Sequence, residues 1–192
     1  MMRLTGYRII LGSNSPRRKE LLAGIDVEYE VRALSNGDES FPQTMAHEEV
    51  PEFLARKKAA ASLPSLKEDE LLITADTVVL LDGMILGKPV DRDDAARMLR
   101  MLAGKQHRVI TGVCLTTLWK QESFSDIAYV TFGPLSEEEI DYYVSRYDPL
   151  DKAGAYGVQE WIGYVAVEKI EGSYFNVMGL PIHKVYRALK RF

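Results

Sequence analysis

Apolar residues along this chain switch between the helical and the extended period, and the switches mark out its elements. Ile9-Ile10-Leu11 is a short apolar run that predicts a strand end. Residues 11–22, LGSNSPRRKELL, turn from that strand into a helix. Ser15 fits the N-cap, Pro16 the first helical position, Leu21-Leu22 the apolar face and Gly24 the stop. Residues 27–33 alternate, with Val27, Tyr29 and Val31 set against Glu28, Glu30 and Arg32, which predicts a half-buried strand. Residues 35–44 are polar and loop-like. A helix is expected from about 48–51 to 62, with Phe53, Leu54 and the alanines inward and Arg56, Lys57 and Lys58 on the exposed side.

Residues 71–81 form a long apolar stretch interrupted at Asp76-Thr77, read as a buried strand. Asp82-Gly83 then fits a hairpin turn, with Met84-Ile85-Leu86 returning. Asp91 caps a helix whose apolar positions Ala95, Met98, Leu99 and Leu102 follow the helical period, and Gly104 stops it. Strands follow at about 107–118 and 123–132. Ser136 and Glu139 make a capping box for a helix to about Tyr147. Residues 148–159, DPLDKAGAYGVQ, read as a loop and 161–169 as a strand. Pro181 opens a last helix with Ile182, Val185, Tyr186 and Leu189 as its stripe. Strands and helices interleave, and the hairpin argues against a purely parallel sheet. The expected fold is α/β, with a mixed twisted central sheet flanked by helices.

At 192 residues the chain is read as one domain spanning 1–192, and 46% apolar residues suffice for a sizeable core. A net charge of −4 argues against nucleic acid as partner, so any phosphate-binding cations must be gathered locally. The single cysteine, Cys114, excludes an internal disulfide and a cysteine metal cluster. That cysteine usage, the lack of a signal-peptide pattern and the lack of a run long enough to span a bilayer give the expectation of a cytoplasmic protein without membrane contact.

The chemistry is concentrated in two places. At residues 11–22, a helix N-terminus bearing Arg17 and Arg18 suits an anion: N–H groups point outward and guanidinium forks match phosphate oxygens. The helix dipole is worth roughly 0.3–1 kcal/mol. Hydrogen bonds to a charged group are worth about 1.5–3 kcal/mol, so the arginines dominate. Such a run works against the dipole if it is there for stability alone. The second place is Asp76, a carboxylate inside an apolar strand, costly unless paired, metal-bound or placed at a cleft. Lys88, between Gly87 and Pro89, would be aimed by a rigid turn but taken singly reads as a solvated loop lysine, and Lys58, Glu39 and Gln159 are likewise unremarkable singly. Lys152 beside Asp151 reads as a surface ion pair of little worth. His47, His107 and His183 lack metal-ligand spacing. Together, Arg17, Arg18, Lys58 and Lys88 with Glu39 and Asp76 offer the cations and carboxylates that phosphoryl chemistry needs, while Walker A and GxGxxG motifs are absent.

Seven segments in order make the chain resemble the Maf family of nucleoside triphosphate pyrophosphatases. They are SNSPRRKELL (13–22), LARKKA (54–59), ADTVV (75–79), GKP (87–89), HRVITGV (107–113), DKAGAYGVQ (151–159) and GSYFNVMGLP (172–181). The resemblance implies two lobes with a deep cleft, a homodimer, and hydrolysis of a nucleoside triphosphate to monophosphate and pyrophosphate with Mg²⁺ or Mn²⁺. The biological role implied is removal of non-canonical or excess nucleotides. It implies Asp76 as catalytic acceptor, phosphate binding by Ser13, Arg17, Arg18, Lys58 and Lys88, and a metal held by Glu39 and Asp76, with Asp38 as Glu39's rival. Arg17, Thr77 and Gln159 resemble the specificity set of the subgroup acting on dTTP and UTP. Glu160 stands where the family pattern leads one to expect glycine, which bears on the local loop shape and on base selectivity. The alternatives are a nucleotide-sensing regulator of septum formation and a pyrophosphatase for purine analogues such as inosine triphosphate.

Overall fold

The structure is a computed structural model and describes residues 5–33 and 39–192. Seven strands among these form one mixed sheet. They are β1 (Arg8–Leu11), β2 (Tyr29–Val31), β3 (Glu70–Leu81), β4 (Met84–Leu86), β5 (Gln106–Thr116), β6 (Gln121–Phe132) and β7 (Val167–Glu171). Their order is β2-β1-β3-β5-β6-β7, with β4 paired to β3. β1 runs parallel to β2 and β3, whereas β3–β4 and β6–β7 are antiparallel, so the mixed sheet expected from the Asp82-Gly83 hairpin is present. Both turn residues have positive φ, Asp82 at 49° and Gly83 at 82°, the twist that a two-residue hairpin requires. The helices are α1 (Pro16–Ala23), α2 (Val50–Ser62), α3 (Arg92–Leu102), α4 (Glu137–Tyr147), α5 (Trp161–Val165), α6 (Tyr174–Met178) and α7 (Ile182–Leu189). Among the described residues no helix is long and apolar enough to cross a membrane.

The chain divides into two compact units, each discontinuous in sequence. The first holds residues 1–76, 111–126 and 179–192. In it, β1 supplies the buried Ile9, Ile10 and Leu11, and β3 the buried Leu71, Leu72 and Ile73. Helix α2 packs on this sheet so closely that a Cβ on Gly112 of β5 would lie 2.1 Å from the backbone nitrogen of Glu52. Ala55, Ala59 and Cys114 fill the contact beside it. Small residues are what let a helix backbone come so near a strand.

The second unit holds residues 77–110 and 127–178. Helix α3 is capped by the Asp91 carboxylate, which accepts from the Asp94 N–H at 2.8 Å, and α4 carries the full Ser136–Glu139 capping box. Phe132, His107 and Tyr156 pack edge-to-face, with centroids 4.9 to 5.4 Å apart. His107 is buried, its Nε2 lies 2.7 Å from the Tyr156 hydroxyl, and burial pushes its pKa down to about 4.

Two expectations are corrected, while helix α1 stops at Gly24 as expected, with Gly24 right-handed at φ −65° and Asp26, at φ 55°, turning the chain. The strand read over 27–33 is only Tyr29–Val31. The strand read over 161–169 is helix α5 followed by β7. Ile162 and Ala166 are buried four residues apart, whereas the extended reading would have buried Tyr164, which is 84% exposed.

Candidate active site

The first unit assembles most of the expected chemistry at the C-terminal end of β1 and the middle of β3. The Gly12 N–H donates to the Ile73 carbonyl at 2.8 Å, fastening the loop after β1 alongside β3. Ser13 is buried, and its hydroxyl accepts from the Ser15 N–H at 3.2 Å. Ser15 caps α1, with Pro16 in its first turn, as the sequence predicts. The first-turn Arg17 is half-buried.

Arg18 reaches inward. Its Nε donates to the Gly179 carbonyl at 2.8 Å and one Nη to the Ala75 carbonyl at 2.9 Å. Burial pulls the pKa of this guanidinium down, Asp76 and Glu39 push it back up, and the neighbouring Arg17 adds to the loss. It remains a cation, as arginine does. The sequence grouped Arg18 with the phosphate-binding residues. The structure adds a strut role: Arg18 ties the start of α1 to the backbone immediately before Asp76.

The meeting of α2 and β3 follows from periodicity. The buried Thr74 hydroxyl donates to the Ala55 carbonyl at 2.7 Å and fixes the register of strand against helix. Residues 74 and 76 share a strand face, and 55 and 58 share a helix face. Lys58 therefore meets Asp76, with Nζ 2.6 Å from Oδ1. Glu39 joins from the preceding loop at 3.1 Å. Its rival Asp38 lies outside the described residues. Along β3 only Asp76 and Thr77 are not fully buried, so the carboxylate that interrupts the apolar run opens to solvent there. Arg17, Arg18 and Lys58 outnumber Asp76 and Glu39 by one charge, which suits an anion.

Thr77, Lys88 and Gln159 belong to the second unit. Lys88 is exposed, and its turn is anchored by the Gly154 N–H, which donates to the Gly87 carbonyl at 3.0 Å. Gln159 is half-buried, and its side-chain carbonyl oxygen is buried without a hydrogen-bond partner. An unsatisfied buried acceptor is costly and marks a place where a donor is wanted.

The expected surface pair Lys152–Asp151 is corrected as well. The Lys152 side chain is only 8% exposed and bridges Asp151 at 2.8 Å and Glu160 at 3.2 Å. Glu160 also accepts from the hydroxyl of the fully buried Tyr143. Sequence reasoning missed Tyr143. It is a tyrosine on an amphipathic helix, and no local pattern points it at a loop beginning several residues later.

A family model described as Maf-like protein matches residues 8–192. The chain is 60% identical over 188 residues to a Bacteroides fragilis protein named dTTP/UTP pyrophosphatase, covering 98% of this chain and 97% of that one. A Phocaeicola vulgatus protein of the same name is 57% identical over 188 residues, with the same coverage. The solved structure of a HAM1 protein from Coxiella burnetii aligns over 97% of this chain and 100% of its own, at a TM-score of 0.49 and 12% identity. The match of the family model over nearly the whole chain and the identity to these relatives place this chain in the Maf-like protein family.

Proposed function

We propose that this protein hydrolyses nucleoside triphosphates, dTTP and UTP foremost, to the monophosphate and pyrophosphate. The observation that carries the reading is the Asp76–Lys58–Glu39 cluster beside the Ser13–Arg18 helix start, which joins phosphate-binding cations to carboxylates. The names of the relatives above give the same reaction and the same two substrates.

The donor set fits a divalent cation. Asp76 and Glu39 already converge on one ammonium group, and one or two carboxylates plus substrate phosphate oxygens is the usual way Mg²⁺ is held. Mg²⁺ or Mn²⁺ held by Glu39 and Asp76 would neutralise phosphate charge and polarise a phosphoryl oxygen.

The chain's own residues account for the rest. Ser13, Arg17, Arg18, Lys58 and Lys88 bind phosphate oxygens, assisted by the N–H groups at the start of α1. One Asp76 oxygen is held on Lys58, which leaves the other to accept a proton. A water oxygen bonds to the α-phosphorus, Asp76 takes its proton, and the bond from that phosphorus to the α–β bridging oxygen breaks as pyrophosphate leaves. Thr77, Gln159 and Arg17 select the base. The unpartnered Gln159 carbonyl supports this, because the N3–H of uracil or thymine is the donor it lacks.

The test is product analysis with Mg²⁺ and a panel of triphosphates. Wild type is expected to release pyrophosphate from dTTP and UTP. Asp76→Asn should lower the rate by about 100-fold or more with an unchanged circular dichroism spectrum. Orthophosphate as the first product, or full activity in Asp76→Asn, overturns the proposal.

A further inference from the structure

Glu160 occupies the position after Gln159, where the family resemblance leads one to expect glycine, and the structure gives it a defined task. Its carboxylate is half-buried and held between two donors. Lys152 Nζ lies 3.2 Å away, with the lysine side chain only 8% exposed. The Tyr143 hydroxyl donates to the other oxygen. That hydroxyl in turn accepts from the Gly157 N–H at 3.0 Å, so Lys152, Glu160, Tyr143 and the backbone of Gly157 form one chain of polar contacts.

Its ends close on the segment that carries Gln159. The Glu160 N–H donates to the Gly157 carbonyl at 2.9 Å. On the far side, a Cβ on Gly163 would lie 1.8 Å from the Val158 carbonyl oxygen, so α5 packs directly against this segment. Gly157 itself has no room for a side chain. A Cβ there would meet the Glu160 carboxyl carbon at 2.8 Å, its Oε2 at 3.0 Å and the Gln159 Nε2 at 3.1 Å. The carboxylate and the amide nitrogen thus crowd the same side of Gly157. The amide oxygen of Gln159 is the buried atom without a partner.

A primary amide can present either end to a base. With the oxygen presented, it accepts from the N3–H of uracil or thymine. Turned over, its N–H group donates to the N3 of cytosine, which is an acceptor. A free amide therefore discriminates poorly between the two, whereas a fixed one discriminates well. A carboxylate beside the amide attracts the N–H end and repels the oxygen. We infer that Glu160, held by Lys152 and Tyr143, is a positioning residue that fixes the Gln159 amide with its carbonyl presented to the base, and so sets selection of uracil and thymine over cytosine. The inference rests on the reading of Gln159 as a base-selecting residue.

The experiment measures pyrophosphate release from UTP and CTP by the full chain carrying Glu160→Gln, which removes the charge and keeps the volume. The ratio of kcat/KM for UTP over CTP is expected to fall at least about tenfold, with the loss in KM for UTP and little change in kcat. Glu160→Asp, which restores the charge, should recover part of the ratio. Tyr143→Phe removes one of the two donors and should move the ratio in the same direction. Thermal unfolding of each variant separates loss of fold from loss of selection. If Glu160→Gln is poorly folded, the Tyr143→Phe and Glu160→Asp pair decides by the same ratio. A wild-type enzyme that hydrolyses UTP and CTP equally overturns the reading of Gln159 and the inference with it. A wild-type preference for UTP that survives unchanged in folded Glu160→Gln overturns the inference alone.

Discussion

Protonating Glu70 is expected to cost the fold about 3 kcal/mol. This side chain is fully buried at the start of β3. Arg32 grips it with both Nη groups, at 2.9 and 2.8 Å, Arg8 adds a contact at 2.8 Å, and the Lys67 N–H donates at 3.0 Å. The Arg32 hydrogen bonds, followed by the backbone N–H of Lys67 and the charges of Arg32 and Arg8, outweigh burial and hold the carboxyl at about 2, from an ordinary 4.5. A carboxyl that binds its proton less readily in the fold stabilises the fold wherever it is ionised. The contribution is complete above pH 4.5 and is lost as pH falls from there toward 2. The position matters because Arg8 lies opposite Glu70 in the register of β1 and β3, the strands that lead to Ser13 and Asp76. Urea unfolding at a series of pH values from 6 to 2, for wild type and Glu70→Gln, measures the effect. Glu70→Gln is destabilised at pH 6, because Arg32 loses its charged partner. The gap between the two proteins should close by about 3 kcal/mol as pH falls to 2. A gap that is the same at pH 6 and pH 2 refutes the reasoning.

Two further outcomes are expected. His107 is held neutral by burial, with its pKa down to about 4 from 6.5, so stability is complete above pH 6.5 and falls by about 3 kcal/mol as pH drops from there to 4. Urea unfolding of His107→Gln, which has no proton to gain, should lack that slope, and a slope equal to that of wild type counts against the assignment. Gly112→Ala forces a methyl group to within 2.1 Å of the α2 backbone and should destabilise by about 3 kcal/mol or more, with pyrophosphate release falling too because α2 carries Lys58. A fully stable Gly112→Ala protein would show that α2 moves away at little cost.

Local chemistry reads well from sequence, as α1 shows. Ser15, Pro16 and Arg17-Arg18 define the helix start from neighbouring residues alone, and Asp91 and the Ser136–Glu139 box do the same for α3 and α4. Asp76 was legible for a different reason: a carboxylate inside an apolar strand needs a partner. What was not legible was who that partner is. Lys58 is one of three consecutive cations on α2, and nothing local separates it from Arg56 or Lys57. The error at 161–169 has the same origin, because a short run with aromatics and valines suits either period until packing decides.

By itself, the sequence determined the strand–helix alternation, the caps and turns, the anion-suited start of α1 and the anomaly at Asp76, because each depends on contacts between near neighbours. The tertiary structure decided that Thr74 locks β3 to α2 so that Lys58 meets Asp76, and that Arg18 braces two backbone carbonyls. It also turned an apparent surface ion pair at Lys152 into the buried support of Glu160. Those pairings join residues far apart in the chain. Their energy depends on desolvation and on a partner's position, and only the packed fold supplies both.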